Sequence, residues 1–188
     1  DIDLFIAKCG CDPIDIMMRN NGDGSFTSVA ADEGFADSQQ SWSSAWGDFD
    51  NDGDMDALIG SSGSSFHKLM RNNGDGTFTN VTDGSGFDSF GGTSIEWNTR
   101  DFNNDGHLDI IGGGAIMYGN GDLTFFPDDD APDNGAIGDL NNDGFLDIVN
   151  YGAYINNANA NHWLTVNLIG TASNKNGIGA KVYVTSAL

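Results

Sequence analysis

Residues 48–60 read DFDNDGDMDALIG, and the interpretation of the whole chain starts from this stretch. Its nine-residue opening returns as DFNNDGHLD from Asp101 and as DLNNDGFLD from Asp139. Each copy leads into a short apolar segment bounded by turn residues, at 56–60, 108–112 and 146–150, which is typical of a buried strand. No window shows a sustained helical period. The three copies therefore predict a repetitive, all-β chain.

A second motif interleaves with the first. It reads MRNNGDGSF from Met18, MRNNGDGTF from Met70 and, more loosely, MYGNGDLTF from Met117. Residues 73–76 tolerate positive φ, so they predict a hairpin turn between strands at 66–71 and 77–81. Units of about 40–55 residues with four short strands are typical of β-propeller blades.

The start of the chain aligns with the end of an acidic loop, because DIDLFIA at 1–7 matches DMDALIG at 54–60. Residues 1–30 thus predict a partial blade, followed by blades at about 42–82, 93–126 and 134–157. A closed propeller needs roughly 4–8 blades, so we expect an incomplete ring or arc, completed by other segments or chains. Alternating residues at 163–168 and 180–184 predict a C-terminal β-hairpin.

The acidic loops have the spacing of a calcium site. Oxygen-bearing side chains fall at loop positions 1, 3, 5 and 9, a glycine at position 6 permits a sharp turn, and position 7 offers its backbone carbonyl. The candidate ligands are Asp48, Asp50, Asp52, the Asp54 carbonyl and Asp56 in the first loop; Asp101, Asn103, Asp105, the His107 carbonyl and Asp109 in the second; and Asp139, Asn141, Asp143, the Phe145 carbonyl and Asp147 in the third. About three Ca²⁺ ions are expected, because calcium accepts this number of oxygens and an irregular geometry, whereas magnesium prefers a strict octahedron.

Two other interpretations of the loops are weaker. An EF-hand requires flanking helices and a glutamate at position 12, where this chain has Ile59, Gly112 and Asn150. Ordinary Asp-Gly turns are the plainer alternative, but three copies with an aspartate at position 9 argue against it. Carboxylates crowded into one loop repel each other without a cation, so the metal is expected to stabilise the fold.

The acidic composition argues against nucleic acid and membranes as partners. The chain has 28 acidic against 7 basic residues, for a formal net charge of -21. This charge argues against nucleic acid and anionic membrane surfaces as partners. No apolar run is long enough for insertion into a membrane. Cys9 and Cys11 leave a local disulfide, two free thiols or a bond to another segment open, and Asn80 begins a glycosylation sequon.

The acidic loops and the apolar strands that follow them resemble the FG-GAP/VCBS repeat family, the propeller repeat also found in integrin α subunits. The resemblance covers about residues 1–157, and the MRNNGDGTFTNVT stretch from Met70 is similar to the VCBS form. It implies a calcium ion in the hairpin between the first two strands of each blade. Residues 158–188, with NHWLTVNL from Asn161, resemble the start of the ASPIC/UnbV module of cartilage acidic protein-like secreted proteins. The resemblance thus implies a secreted, extracellular or cell-surface protein.

We expect a non-catalytic role in adhesion, matrix or surface structure, with protein or glycan ligands and with self-assembly through unpaired edge strands. The alternative is the calcium-stabilised propeller of a secreted polysaccharide-active enzyme. Against it, the carboxylates that a glycosidase needs are already placed in the loops, and no HExxH motif or nucleophile elbow occurs. His67 is expected to be exposed. The four tryptophans are expected to pack in the core rather than form a sugar-stacking platform: Trp42, Trp46, Trp97 and Trp163.

Overall fold

The computed structural model describes residues 2–10, 14–37, 39–61, 67–128, 130–171, 174–178 and 180–185. In these residues fourteen strands form four antiparallel sheets, and no helix is present. Within each sheet, strands that follow one another along the chain pair as neighbours, and no strand pairing joins one sheet to another. The prediction of an all-β chain of small antiparallel sheets is confirmed, while no closed ring is formed by the described residues.

The strands follow the repeat. The first sheet contains β1 (Leu4–Ile6), β2 (Ile16–Asn20) and β3 (Phe26–Ser28); the second contains β4 (Ser41–Gly47), β5 (Asp56–Ser61), β6 (Lys68–Asn72) and β7 (Phe78–Asn80). The third contains β8 (Asn98–Arg100), β9 (Asp109–Gly112), β10 (Ala115–Gly119) and β11 (Phe125–Asp128); the fourth contains β12 (Ala136–Gly138), β13 (Asp147–Val149) and β14 (Ala153–Tyr154). The beginning of the strand predicted at 66–71 lies outside the described residues.

Strand register is repeated from sheet to sheet. The three acidic loops each connect the first strand of a sheet to the second, and the position-9 aspartates Asp56, Asp109 and Asp147 pair with the last residue of the preceding strand. The first sheet has the register of β5–β7, because Leu4 pairs with Met18 as Ala57 pairs with Met70. Within the described residues, the first sheet therefore has no strand that corresponds to β4, and the fourth has none that corresponds to β7 and β11.

Hydrophobic residues form three core clusters, one between each pair of consecutive sheets. The first cluster contains Met17, Val29, Ala30, Phe35, Ala57, Ile59 and Met70. The second contains Ala45, Phe49, Leu58, Leu69, Phe87, Trp97, Ile110, Met117, Leu123 and Phe125. The third contains Phe102, Ile111, Ile116 and Ile148. The sheets thus pack face to face along the chain.

Strands in the two central sheets contribute side chains to two clusters. In β5, Ala57 and Ile59 belong to the first cluster and Leu58 to the second. In β9, Ile110 belongs to the second cluster and Ile111 to the third. This follows from the two-residue period of a strand, and it explains why these segments read as continuous apolar runs. Full burial of each such side chain contributes about 1.5–3 kcal/mol.

Two strand glycines make room for a buried tryptophan. Trp97 is 5% exposed and lies between β5 and β9. A Cβ atom at Gly60 would lie 1.9 Å from the Trp97 Nε1 atom, and one at Gly112 would lie 2.4 Å from its Cε3 atom. Glycine weakens a strand interior, so at these two positions packing rather than strand propensity decides the residue.

The predicted C-terminal hairpin is not formed. The described residues after Tyr154 contain no strand, and apolar side chains at 163, 164, 169 and 183 are exposed. An isolated two-stranded hairpin is marginally stable in water without another layer to cover one face. Side chains of this segment donate hydrogen bonds to backbone carbonyls of the acidic loops.

Three other sequence expectations need correction or completion. His67 is buried rather than exposed, because it packs against the rings of Phe87, Phe90 and Trp97. Core packing is confirmed for Trp46 and Trp97 but is wrong for Trp42 and Trp163, which are 39% and 53% exposed. Cys9 carries a free, exposed thiol, and Cys11 lies outside the described residues. Among the described residues, no helix has the length and hydrophobicity needed to cross a bilayer.

Candidate metal sites

The three acidic loops share one backbone turn. The glycine at position 6 has a positive φ in each loop: 99° at Gly53, 90° at Gly106 and 88° at Gly144. Its amide donates to an oxygen of the position-1 aspartate at 2.9, 3.0 and 2.9 Å, respectively. The glycine thus folds each loop back onto its first carboxylate, which is the sharp turn expected from the sequence.

Position 4 is a second left-handed position, which the ligand spacing did not reveal. Asn51, Asn104 and Asn142 have φ values of 58°, 54° and 60°. Asparagine is one of the few residues other than glycine that tolerates this conformation. The signal was present in the sequence, since all three loops have asparagine at this position.

The position-9 aspartates connect each loop to the strands around it. Asp56, Asp109 and Asp147 are buried, and their Oδ2 atoms accept from the amide at position 2 of the same loop at 2.9, 2.7 and 2.8 Å. Their Oδ1 atoms accept from the amides of Asn72, Gly119 and Asn156 at 2.8, 3.0 and 2.8 Å. Asp3 does the same in the first sheet, where its Oδ1 atom accepts from the Asn20 amide at 2.8 Å.

Burial raises the pKa of carboxyl groups in the first and second loops. Desolvation raises the pKa of Asp56 to about 6 and that of Asp109 to about 7. Desolvation also raises the pKa of Asp50, with additional contributions from the charges of Asp52 and Asp48. The pKa of Asp101 is raised by desolvation and by the charge of Asp105. A bound cation would favour the charged carboxylates and so oppose these shifts.

The first loop brings three carboxylates together. Ligand atoms of Asp48, Asp50 and Asp56 all lie within 4.8 Å of one another. The Oδ1 atom of Asp48 is buried and has no hydrogen-bond partner among the described residues. A buried, unpaired carboxylate oxygen beside two other carboxylates fits a divalent cation, because unpaired buried charge is otherwise strongly unfavourable. Asp52, at position 5, is not part of this group.

The second and third loops have a different arrangement of the same residues. Oδ1 atoms of Asp101 and Asp139 accept from the amides of Asp105 and Asp143, at 3.2 and 3.1 Å. The position-3 carboxamides also donate to the position-5 carboxylates, at 2.9 Å from Asn103 and 2.8 Å from Asn141. The part of the chain that the structure describes contains no third carboxylate close enough to complete a comparable group in these loops.

The backbone amide at position 7 donates a hydrogen bond to the carboxylate at position 5 in each loop. The amides of Asp54, His107 and Phe145 donate to Oδ1 of Asp52, Asp105 and Asp143, at 2.9, 2.8 and 2.9 Å. Each loop is therefore a set of short-range turns that keeps its carboxylate and carboxamide oxygens near one another.

The loops also contact each other and the C-terminal segment. The Asn51 carboxamide lies 2.9 Å from Nδ1 of His107, and that of Asn104 donates to the Gly144 carbonyl at 3.0 Å. From the C-terminal segment, Asn156 donates to the Phe102 carbonyl at 2.8 Å, while Asn159 and Asn161 donate to the Asn103 carbonyl at 2.7 and 3.1 Å. Lys181 donates to the Gly53 carbonyl.

One stretch of the chain is similar to a known repeat family. Residues 1–59 match the FG-GAP-like repeat, a stretch that contains the first sheet, β4, the first acidic loop and the beginning of β5. FG-GAP repeats often bind calcium and are typical of extracellular proteins, and their fold is of the β-propeller type. No curated protein matches the chain.

Proposed function

We propose that this chain is a calcium-binding extracellular repeat protein with a structural, adhesion or assembly role. The observation that carries the proposal is the group formed by Asp48, Asp50 and Asp56, together with the buried, unpaired Oδ1 atom of Asp48. A calcium ion in that position would neutralise carboxylates that otherwise repel one another, and burial disfavours the charged form of Asp56 and Asp50.

About three ions would bind, one in each complete loop. Each would be held by the oxygens at positions 1, 3, 5 and 9 and by the carbonyl at position 7, because the same residues and turns recur in all three loops. In loops two and three, binding would replace the hydrogen bonds that now join positions 3 and 5.

The ion's effect would reach beyond the loop through position 9. Each of these aspartates already accepts hydrogen bonds from its own loop and from the strand hairpin beside it. Calcium ligation at this carboxylate would therefore connect the loop, the second strand and the end of the third strand (in the fourth sheet, the residues just after it) into one unit. Binding that depends on the folded arrangement stabilises the fold by mass action.

The proposed setting is the cell surface or the matrix, with secretion and with protein or glycan ligands. Assembly would use the outer edges of β1 and β14, because in both sheets the neighbouring strand position is open within the described residues. The segment 158–188 would be the start of an ASPIC/UnbV-like region. The proposed role is non-catalytic, without nucleic acid or membrane insertion, since the aligned carboxylates are assigned to metal and not to proton transfer.

Thermal unfolding tests the proposal. Extracellular calcium modules have dissociation constants of about 10⁻⁴–10⁻³ M. A calcium concentration ten times the dissociation constant stabilises by about 1.4 kcal/mol per site. For a chain of this size that corresponds to about 3–6 °C per site, so three sites should raise Tm by about 10 °C or more over chelator.

Two variants of equal charge change serve as site probe and control. Asp50→Ala removes a carboxylate of the group in the first loop, so the increase in Tm caused by calcium should fall by about one third. Asp83→Ala removes an exposed carboxylate outside the loops and should keep the full increase. A Tm of the unsubstituted chain that is the same in chelator and in 10 mM calcium (about ten times the upper expected constant) would contradict the proposal.

A further inference from the structure

The acidic loops are joined by a contact that repeats along the chain. In the first loop Asn51 lies between the candidate ligands Asp50 and Asp52, and its Nδ2 atom lies 2.9 Å from Nδ1 of His107 in the second loop. In the second loop Asn104 lies between Asn103 and Asp105, and its Nδ2 atom donates to the Gly144 carbonyl in the third loop at 3.0 Å. The same loop position therefore contacts the next loop twice.

Both contacts end at the same part of the receiving loop. His107 is the position-7 residue whose carbonyl is a candidate ligand of the second ion, and Gly144 is the position-6 residue directly before Phe145, which has that role in the third loop. Gly106 and Gly144 also donate their amides to the position-1 carboxylates. The incoming carboxamide thus restrains the turn that brings the first and seventh positions of the next loop together.

The backbone at position 4 makes these contacts possible. Asn51 and Asn104 have left-handed φ values, and this conformation directs the side chain out of its own loop toward the neighbour. Asn142 has the same conformation in the third loop, and its carboxamide makes no hydrogen bond to another described residue. It therefore serves as an internal control with the same chemistry and no loop-to-loop contact.

We propose that calcium binding at the three loops is coupled from each loop to the next through the carboxamides of Asn51 and Asn104. The inference rests on the proposed function, because it concerns how the same sites respond to one another. Calcium bound at positions 3 and 5 fixes the backbone on both sides of the asparagine, and a fixed asparagine restrains the turn of the next loop. The second ion then orders a loop that has already lost part of its freedom, and this gives positive coupling.

Coupling between binding sites is reciprocal, so an ion in the second loop also strengthens binding in the first. A single hydrogen bond of this kind corresponds to a change in affinity of about two- to tenfold. The expected behaviour is therefore moderate cooperativity between neighbouring loops.

A calcium titration of the full chain, followed by ¹H–¹⁵N NMR, resolves the sites. The amides of Gly53, Gly106 and Gly144 each donate to the position-1 carboxylate of their own loop, so each reports its own site. Asn51→Gly should weaken binding at Gly106 by about two- to tenfold, and Asn104→Gly should do so at Gly144. Glycine is compatible with the left-handed backbone, so it removes the carboxamide without strain.

The matched control is Asn142→Gly, which makes the same substitution at the same backbone conformation and should leave the affinity reported by Gly106 unchanged. A second arm leaves the loop contact intact: Asp50→Ala should weaken calcium binding reported by Gly106. In a chain that already carries Asn51→Gly, Asp50→Ala should cause no further loss of affinity at Gly106, because the two changes act along one path.

The outcomes separate the two proposals. If none of the three glycine amides responds to calcium, the proposed calcium function is wrong. If they respond, but Asp50→Ala leaves the Gly106 affinity unchanged, or Asn51→Gly has no greater effect there than Asn142→Gly, then the sites are independent and the coupling is wrong.

Discussion

His67 occupies a position that only its neutral form satisfies. Its Nδ1 atom accepts from the Ser61 amide at 3.1 Å, and its Nε2 atom lies 2.9 Å from the Gly92 carbonyl, which requires a proton on Nε2. A proton on Nδ1 would face the Ser61 amide hydrogen. Burial among aromatic rings also lowers the pKa of His67 below its ordinary value of 6.5.

The folded protein should therefore lose stability when His67 is forced to protonate. The unfolded chain binds this proton near pH 6.5 and the folded chain binds it only at lower pH, so the free energy of unfolding decreases as pH falls below 6.5. His67→Gln, which can accept and donate but not titrate, should remove this contribution. Urea unfolding between pH 5 and pH 7.5, at a fixed calcium concentration, measures the free energy of unfolding of the unsubstituted chain and of His67→Gln. The difference between the two pH dependences is the contribution of His67.

The exposed His162 provides the control for this measurement. His162→Gln makes the same substitution at an exposed histidine outside the three core clusters, so it controls for the change of residue type. Equal pH dependence of His67→Gln and the unsubstituted chain would show that the buried imidazole does not contribute.

Sequence reasoning at the residue scale succeeded where one residue type has one physical use. Glycine at loop position 6 predicted the turn. The aspartates at positions 1 and 9 were predicted as calcium ligands, and the structure shows that they accept hydrogen bonds from backbone amides of their own loops. It failed for His67, because a lone histidine beside a serine-rich segment has no periodic signal of burial. Whether the fifteen candidate ligands bind calcium stays a prediction that the titration above decides.

The second and third sheets show at the element scale how strand packing overrides strand preference. Gly60 lies within β5, and Gly112 is the last residue of β9, directly before the turn to β10. Trp97 explains why both are glycine, since its ring occupies the space that side chains at these two positions would fill.

Gly60→Ala should accordingly destabilise the protein by about 1–3 kcal/mol, because the added methyl group overlaps the indole of Trp97. Loss of the near-ultraviolet circular dichroism of a fixed tryptophan should accompany the change, and urea unfolding measures its size. The control is Gly138→Ala in β12, where a Cβ atom would meet nothing within 4 Å. Equal stability of the two variants would contradict this view of the Trp97 site.

Elements were predicted well where the motif repeats and poorly where it ends. Turns at 22–24 and 74–76 use glycine at two positive-φ positions, and Leu123 adopts 67° where the other copies have Gly24 and Gly76. The looser third copy thus keeps the turn without its usual residue. Beyond β14 the alternating pattern gave the wrong answer, because alternation predicts a strand only if a second layer covers its apolar face.

The whole molecule is a row of sheets whose three interfaces differ in size. Among the described residues, the third cluster has four buried members, compared with seven in the first and ten in the second. Val149 and Tyr154 in the fourth sheet are 42% and 48% exposed. The fourth sheet is therefore less covered by hydrophobic contacts than the two central sheets.

Amide hydrogen exchange should follow this order. Amides in the β12–β14 sheet should lose protection at a lower free energy than those in β5, β6, β9 and β10. Local opening of this sheet exposes less buried apolar surface, so it costs less free energy. Mass-spectrometric exchange in saturating calcium measures it. Uniform protection across the four sheets would mean that the chain opens only as a whole.

The division of each central strand between two clusters also limits how the length of such a chain can vary. Deleting one residue inside β5 would direct Leu58 toward the first sheet and Ile59 toward the third, exchanging the contents of two interfaces at once. Insertions and deletions are consequently tolerated in the connections between strands, or as a complete repeat that presents both faces in the original order. In evolution, such a chain would therefore become longer by duplication of whole repeats.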